Sequence, residues 1–252
     1  MNNSSRAAAL EKRIDPTVYN EQKVWGLESN EDYFRLFRSK AEDLYRSEKF
    51  FLPDVVKEVK DCLDVGCCCG GFSEIMRSYN PQLRYTGVDI IPRFIDIAKE
   101  RYPEFEFVVG DGTNINFPDN TFELVHSTGI LHLNSRYKDI VREMYRVAAK
   151  YVLCDFRLTD GADAMGEMDV NLVGQDQTAG VLPYIVLDIK RHLEFLKALS
   201  PAPVSIAAKG YAHAPSKLAR INIDKIYMAF FLITKGEKSK TAHTDVQMDL
   251  NA

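Results

Sequence analysis

The segment Asp64-Val65-Gly66-Cys67-Cys68-Cys69-Gly70-Gly71 joins a short apolar run to a helical pattern and sets Gly66 and Gly70 four residues apart. Glycines at such a junction let the backbone turn tightly and approach a ligand, and the following helix opens on N–H groups that have no partner of their own. Two carboxylates add to the loop. Asp89 lies at the end of the run YTGVDI, and Asp111 at the end of FEFVVGD. An acid closing the second strand of an open α/β sheet can accept both hydroxyls of a ribose, so loop and acids together point to an adenosine-bearing ligand. Alone, each acid would equally suit a helix cap or a turn; their register on successive strands is what counts. The adjacent Cys67, Cys68 and Cys69 lack the Cys-x-x-Cys spacing of a zinc or redox centre. Three neighbouring side chains on a turning backbone diverge, so no metal is expected and the cysteines read as small loop residues.

The elements that must position these groups follow from the change of period along the chain. Short apolar runs alternate with helical ones: CLDVG, GFSEIMRSY, YTGVDI, PRFIDIAKERY, FEFVVGD, FELVHS, RYKDIVREMYRVA and YVLCDF. This alternation predicts an α/β fold with a parallel, doubly wound sheet. Ahead of it, Tyr33, Phe34, Phe37, Ala41, Leu44 and Tyr45 fall at helical spacing and predict a helical cap within residues 1–50. Behind it, Ile189, Leu193, Leu196 and Leu199 share one face of a helix, and PVSIAAKGY and DKIYMAFFLITK read as an antiparallel pair at the sheet edge. The core domain is expected over 51–236, with a flexible tail over 237–252. Residues 156–187, which contain Arg157, Gln175, Asp176 and Tyr184, exceed an ordinary turn and are expected to form a lid.

Composition narrows the class. The chain has 252 residues, 46% hydrophobic and 27% charged, which suits one globular domain. A net charge of −4 offers no basic footprint for nucleic acid. No apolar run reaches the roughly 18–20 residues of a membrane span, and MNNSSRAAALEKR lacks a signal-peptide core. A cytoplasmic protein with reduced cysteines is expected.

In this order, the motifs resemble those of the class I S-adenosylmethionine-dependent methyltransferases, in the small-molecule group with the ubiquinone and menaquinone methyltransferases. LDVGCCCGG corresponds to the first motif, GVDI to the ribose acid, and GDGTNINFPDNTFELV to the adenine acid. FPDNTFELVHSTGILHL and IVREMYRVAAKYVLCDF correspond to the fourth strand and the helix and strand that follow. The resemblance covers roughly residues 55–160 by motif. Cys68 stands for the usual middle glycine, and Ala148-Ala149-Lys150 for the usual Gly-Gly before the fifth strand.

The resemblance implies a Rossmann-like, seven-stranded sheet ordered 3-2-1-4-5-7-6 with the last strand antiparallel. It implies S-adenosylmethionine as cofactor and methyl transfer to a small-molecule acceptor through an O, N or C nucleophile. The chain would act as a monomer or homodimer, without nucleic acid or membrane. On the cofactor, Asp64 would order the loop or meet the methionine amino group, and Gly66, Cys67, Cys68 and Gly70 would line the methionyl part. Asp89 would hold the ribose, Ile90 would pack on adenine, and Asp111 and Gly112 would contact the adenine edge. Ser127 and Thr128 would face the methionine from the other side. Aromatic faces from Tyr19, Trp25, Tyr33 and Phe37 could close over a sulfonium. Where an acceptor must lose a proton, His132 is the first choice as base and His126 the second, since both flank the fourth strand's end. A cofactor-binding scaffold without turnover shares these features. A nicotinamide oxidoreductase would want Gly-x-Gly-x-x-Gly, which is missing.

Overall fold

The computed structural model describes residues 21–26, 35, 38–170, 180–236 and 242–249. The chain enters through α1 (Glu21–Trp25), α2 (Arg46–Lys49) and α3 (Leu52–Lys57), and then alternates. β1 (Asp61–Val65), α4 (Gly71–Tyr79), β2 (Arg84–Asp89), α5 (Pro92–Arg101), β3 (Glu106–Val109), β4 (Phe122–Ser127), α6 (Tyr137–Val147) and β5 (Ala148–Thr159) follow in order. The remainder is β6 (Ala164–Asp169), β7 (Val181–Asp188), α7 (Ile189–Lys197), β8 (Ser205–His213), β9 (Ala219–Arg220), β10 (Ile226–Thr234) and β11 (His243–Gln247). The main path of the sheet is β11-β8-β10-β5-β4-β1-β2-β3. β1 to β5 are mutually parallel where they pair, and β10 runs antiparallel to both β5 and β8.

Four expectations need correction. The sheet is larger than seven strands: the path holds eight, and β6, β7 and β9 branch from it through the pairing of β7 with β5. The tail is not wholly flexible, because His243–Gln247 pairs in parallel with Ser205–Lys209 of β8 and moves the edge outward. The stretch 156–187, expected as a lid, is largely strand among the described residues. It finishes β5 and then folds back as β6 and β7, antiparallel from Ala164↔Val186 to Asp169↔Val181, while Gln175 and Asp176 lie outside the described residues. Finally, Ala41, Leu44 and Tyr45 do not share one helix, because Leu44 and Tyr45 are extended between a single 3-10 turn and α2. Leu44 is nevertheless buried. Tertiary contacts, rather than helical periodicity, decide that segment.

Alternation along the strands sorts side chains onto two faces. Leu63, Val65, Val125, Val152, Cys154, Phe156 and Phe231 join α6 and α7 on one side. Cys62, Leu124, Leu153 and Phe230 join α3, α4 and α5 on the other. On this second face the pattern changes as the strands approach their carboxyl ends. Asp64, His126, Asp155 and Arg157 occupy the positions that continue the parity of Cys62, Leu124 and Leu153, and all four are buried. The segment from Arg38 to Glu48 roofs this polar band.

The missing Gly-Gly before β5 has a structural substitute. α6 ends at Val147 and β5 begins at Ala148 with no connecting residue. Lys235 Nζ donates to the carbonyls of Tyr145, Arg146 and Ala148 at 2.7, 3.1 and 2.9 Å. A cation at the carbonyl end of a helix is favourable, and here it satisfies acceptors that a glycine cap would otherwise leave to the following backbone.

Candidate functional site

The glycine loop is fastened to the end of β2. Gly66 and Cys67 donate their backbone N–H groups to the Val88 carbonyl at 2.8 and 3.1 Å, and Cys68 N–H donates to Asp89 Oδ2 at 2.9 Å. Gly66 and Gly70 both have φ +80, and a Cβ on Gly66 would come within 2.9 Å of Ile130. Cys68 adopts φ +51, a left-handed conformation that a side chain disfavours. The three cysteines diverge. Cys67 is buried with its Sγ over Gly87, where an added Cβ would meet it at 2.7 Å. Cys69 is buried with Ile91, Phe94 and Ile97, and Cys68 packs at the margin of that cluster. Burial and nearby acids push the Cys67 thiol well up, and burial with Cys69 and Asp89 does the same for Cys68, so both are protonated near neutrality.

Above the loop, a cavity of about 900 Å³ crosses the sheet from β3 to β8. At one end it is lined by the loop, Asp89, Ile90, Asp111 and Gly112. Asp89 already accepts from Cys68 N and, at 2.9 Å, from Ile91 N. A carboxylate has room for about four hydrogen bonds, which leaves capacity for two hydroxyls. Burial raises the Asp89 carboxyl to about 6 against the lowering effect of these backbone donors. Asp111 Oδ1 holds the N–H and hydroxyl of Thr113, both at 2.8 Å. Trp25 and Gln22 of α1 complete this end beside Ile90 and Ile91. Trp25 therefore stands over the Ile90 side; Tyr19, Tyr33 and Phe37 lie outside the described residues.

Four expected residues do not reach the cavity. Asp64 is buried beneath the loop, where Oδ2 accepts from the Tyr85 hydroxyl at 2.6 Å and Oδ1 meets His126 Nδ1 at 2.8 Å. His126 is not a free base: its Nε2 lies 3.3 Å from Glu48 Oε1, and Glu48 Oε2 accepts from Arg38 Nη2. Burial alone would lower this imidazole, but Asp64 and Glu48 outweigh it and hold it near 9. Ser127 turns away and donates to the Val65 carbonyl at 2.9 Å. Gly70 is the residue before α4, with an added Cβ only 2.9 Å from the Phe107 ring. These residues sit where motif spacing puts them, but their side chains or Cα positions serve the scaffold.

Thr128 and His132 do line the cavity. Thr128 Oγ1 accepts from Arg38 Nη1 at 2.6 Å. The Arg38 guanidinium stands 4.1 Å from the Tyr45 ring centre and 4.8 Å from that of Phe72. Arg38 is a residue that sequence reasoning missed, since it belongs to no motif and lies outside the alternating core. His132 is 7% exposed, its ring is edge-on to Tyr184 at 5.5 Å, and its Nδ1 has no partner among the described residues. Burial, then the nearby Arg157 and His213, push this imidazole well below its ordinary value and keep it neutral. Arg157, Tyr184, Tyr211 and His213 line the end of the cavity over β5, β7 and β8. The strand register brings Arg157 opposite Met228, and Met228 opposite Tyr211. The alternation Asp155-x-Arg157 on a buried strand is the one sequence signal that marks this end.

The comparisons with known proteins agree with the geometry of the loop end. Residues 63–153 match a family described as methyltransferase domain. The chain is 36% identical over 93 residues to a fatty-acid O-methyltransferase of Mycolicibacterium smegmatis, covering 36% of this chain and 34% of that protein. It is 30% identical over 86 residues to a demethylmenaquinone methyltransferase of Thermotoga maritima, covering 34% of this chain and 37% of that protein. The chain thus spans about a third of the length of the curated relatives it matches. A solved S-adenosylmethionine-dependent methyltransferase of Methanosarcina mazei shares the fold, with a TM-score of 0.57 and 16% identity over 77% of this chain and 99% of that one. Residues 63–153 thus carry the similarity to the class I S-adenosylmethionine-dependent methyltransferases. S-adenosylmethionine is the cofactor of that class.

Two predictions follow from this geometry. Cys68→Gly relieves a left-handed side chain, so thermal melting should show unchanged or slightly raised stability, by up to about 1 kcal/mol. Calorimetry should find affinity for S-adenosylhomocysteine within about threefold of wild type; a large loss would give the thiol a contact role. His126→Gln breaks a buried charge pairing and should cost about 3–5 kcal/mol near neutral pH. The folded-state value of His126, near 9, lies above its ordinary 6.5, so this stabilisation is complete below about pH 6.5 and is lost as pH rises through 9. Urea melts from pH 6 to 10 should show the gap between wild type and variant narrowing over that window.

Proposed function

We propose that this chain transfers a methyl group from S-adenosylmethionine to a small-molecule acceptor. The observation that carries this reading is one cavity with two chemically different ends, acidic over β2 and β3 and aromatic-cationic over β5, β10 and β8. Its volume of about 900 Å³ is near the top of the roughly 300–1,000 Å³ range for small-molecule sites, which supports room for an acceptor beside the cofactor. The cofactor supplies an electrophilic methyl on a sulfonium, open to in-line displacement.

The residues then have distinct tasks. Asp89 accepts the ribose hydroxyls, and Asp111 and Gly112 meet the adenine edge while Ile90 packs on its face. The loop backbone from Gly66 to Cys68, with Thr128 opposite, encloses the methionyl part. Arg38 supplies a cation for its carboxylate; its Nε is buried with no partner among the described residues. Enclosure between the roof and the sheet excludes water and holds donor and acceptor at attack distance, which is the main work of such a catalyst. His132 is neutral, lines the cavity and has a ring nitrogen without a partner among the described residues, so it can accept a hydrogen bond or proton from the acceptor.

Calorimetric titration with S-adenosylhomocysteine and with NAD tests the cofactor assignment, and NAD alone binding would overturn it. Affinity for S-adenosylhomocysteine should weaken as pH falls below about 6, where Asp89 protonates. Asp89→Asn should bind about 10–100-fold more weakly and show no such step, as expected for lost charged hydrogen bonds. Radiolabelled methyl transfer across an acceptor panel tests turnover; binding without transfer would leave a scaffold. With an acceptor in hand, His132→Asn should lower turnover about tenfold, less than the 10²–10⁴ of an optimally tuned base because its basicity is depressed. Unchanged turnover at saturating substrate would remove His132 from the reaction.

A further inference from the structure

The ends of the cavity differ in charge. The only carboxylates among its described lining residues are Asp89 and Asp111, both on the β2–β3 side. The β5–β10–β8 side presents Arg157, with the imidazoles of His132 and His213 and the hydroxyls of Tyr184 and Tyr211. Arg157 itself is 6% exposed. Its counterion stands behind it: Asp155 is fully buried, accepts from Arg157 Nη1 at 2.5 Å, and turns its other oxygen to Gly129 N–H at 2.6 Å. A guanidinium has five N–H donors in a planar fork, and one nitrogen bonded to Asp155 leaves the rest of the fork for another acceptor.

We infer that the acceptor is a carboxylic acid, and that Arg157 anchors its carboxylate at the β5–β10–β8 end of the cavity; this rests on the methyl-transfer reading of the same cavity. A buried anion must be paired, and a planar bidentate match to a guanidinium is the strongest pairing the lining offers. A second, independent observation points to a ligand there. His132 is more than nine-tenths buried, and its Nδ1 has no partner among the described residues, as is also true of His213 Nε2. Buried polar atoms without partners carry a cost that a bound group would offset. The field at this end has the same sign: burial first, and Arg157 next, push both imidazoles down, and an anion seated on Arg157 would offset that field. A carboxylate fits better than a phosphate, because no lysine is among the described lining residues and the other two lining arginines are engaged elsewhere, Arg38 with Glu48 and Thr128 and Arg136 with Asp139. Met168, Leu218 and Met228, with the Tyr184 and Tyr211 rings, provide apolar walls for the body of the acid.

The test uses the full chain saturated with S-adenosylhomocysteine. The probes are straight-chain acids of four to twelve carbons and benzoic, phenylacetic and hydroxybenzoic acids, each beside its primary amide, with alkyl phosphates as a third arm. Calorimetry should find at least one acid binding ten times or more tighter than its amide. Arg157→Gln should abolish that preference, and Arg157→Lys should retain part of it, while both keep the wild-type affinity for S-adenosylhomocysteine. Asp155→Asn combined with Arg157→Gln removes the buried pair together and guards against a folding defect. Equal binding of acids and amides, acid preference surviving Arg157→Gln, no acid bound, or tighter binding of alkyl phosphates would each overturn the assignment. Arg157-dependent acid binding in a protein that fails to bind S-adenosylhomocysteine would instead sink the methyl-transfer reading and leave the anion site standing.

Discussion

Arg38, Glu48, His126, Asp64 and Tyr85 form a buried row in which charges alternate from the roof of the molecule to the second strand. Arg38, Glu48, His126 and Asp64 are all within 6% of full burial. None of these groups could be left there alone, because an unpaired ion in a medium of low polarity costs far more than a fold can recover. Paired in sequence, they satisfy one another and tie a segment with little regular structure to the ends of β1, β2 and β4. The roof over the cavity depends on that tie. Removing it would open the loop end to water and release Arg38 from Thr128 and from the Phe72 ring.

The site is a consequence of how one sheet face changes along the strands. Low on that face, Cys62, Leu124 and Leu153 pack against helices, and the chemistry there is only that of apolar burial. One step higher, at the same parity, Asp64, His126 and Asp155 are polar and must find partners inside the protein. Higher still, the backbone leaves the sheet, and the loop, Thr128 and Arg157 face the cavity. The scaffold thus grades from hydrocarbon to charge to ligand over a few residues, which keeps the charged layer dry without exposing it. Tight fastening of the glycine loop to Val88 and Asp89 gives the cofactor end its rigidity. The Arg157 end is built on strands β5, β7 and β8, which gives its side chains the same fixed spacing.

The legible part of the sequence was the part whose signals are local. The strand and helix runs from β1 to β5 were read within a few residues of their bounds, because burial on both faces leaves short apolar runs bounded by helical ones. Gly66, Cys67, Cys68, Asp89, Ile90, Asp111, Gly112, Thr128 and His132 all line the cavity. Asp64, Gly70, Ser127 and His126 do not, and nothing in the motif separates a carboxylate that meets a ligand from one that meets a histidine a strand away. The N-terminal helical spacing does not extend to Leu44 and Tyr45 for a related reason. Leu44 and Tyr45 share helical spacing with their neighbours, yet their backbone is extended, with Glu48 held by His126 of β4 and Arg38 by Thr128 just beyond it. The tail expectation omits β11 because a polar, exposed strand shows its alternation only against the edge it pairs with.

By itself the sequence determined the doubly wound class, the glycine loop and the two acids that follow it, because each is encoded by spacing within one strand-turn-helix unit. Only the tertiary structure decided which polar side chains face the cavity and which serve one another beneath it. It alone assembled Arg157, Tyr184, Tyr211 and His132 at one end of the cavity. Those residues come from β5, β7, β8 and the turn after β4, and no local pattern records that the insertion of antiparallel β10 beside β5 sets Arg157, Met228 and Tyr211 in one row. The physical reason is that motif spacing is a property of one stretch of backbone, whereas a buried charge or a binding pocket is a balance among groups that meet only when the sheet is complete.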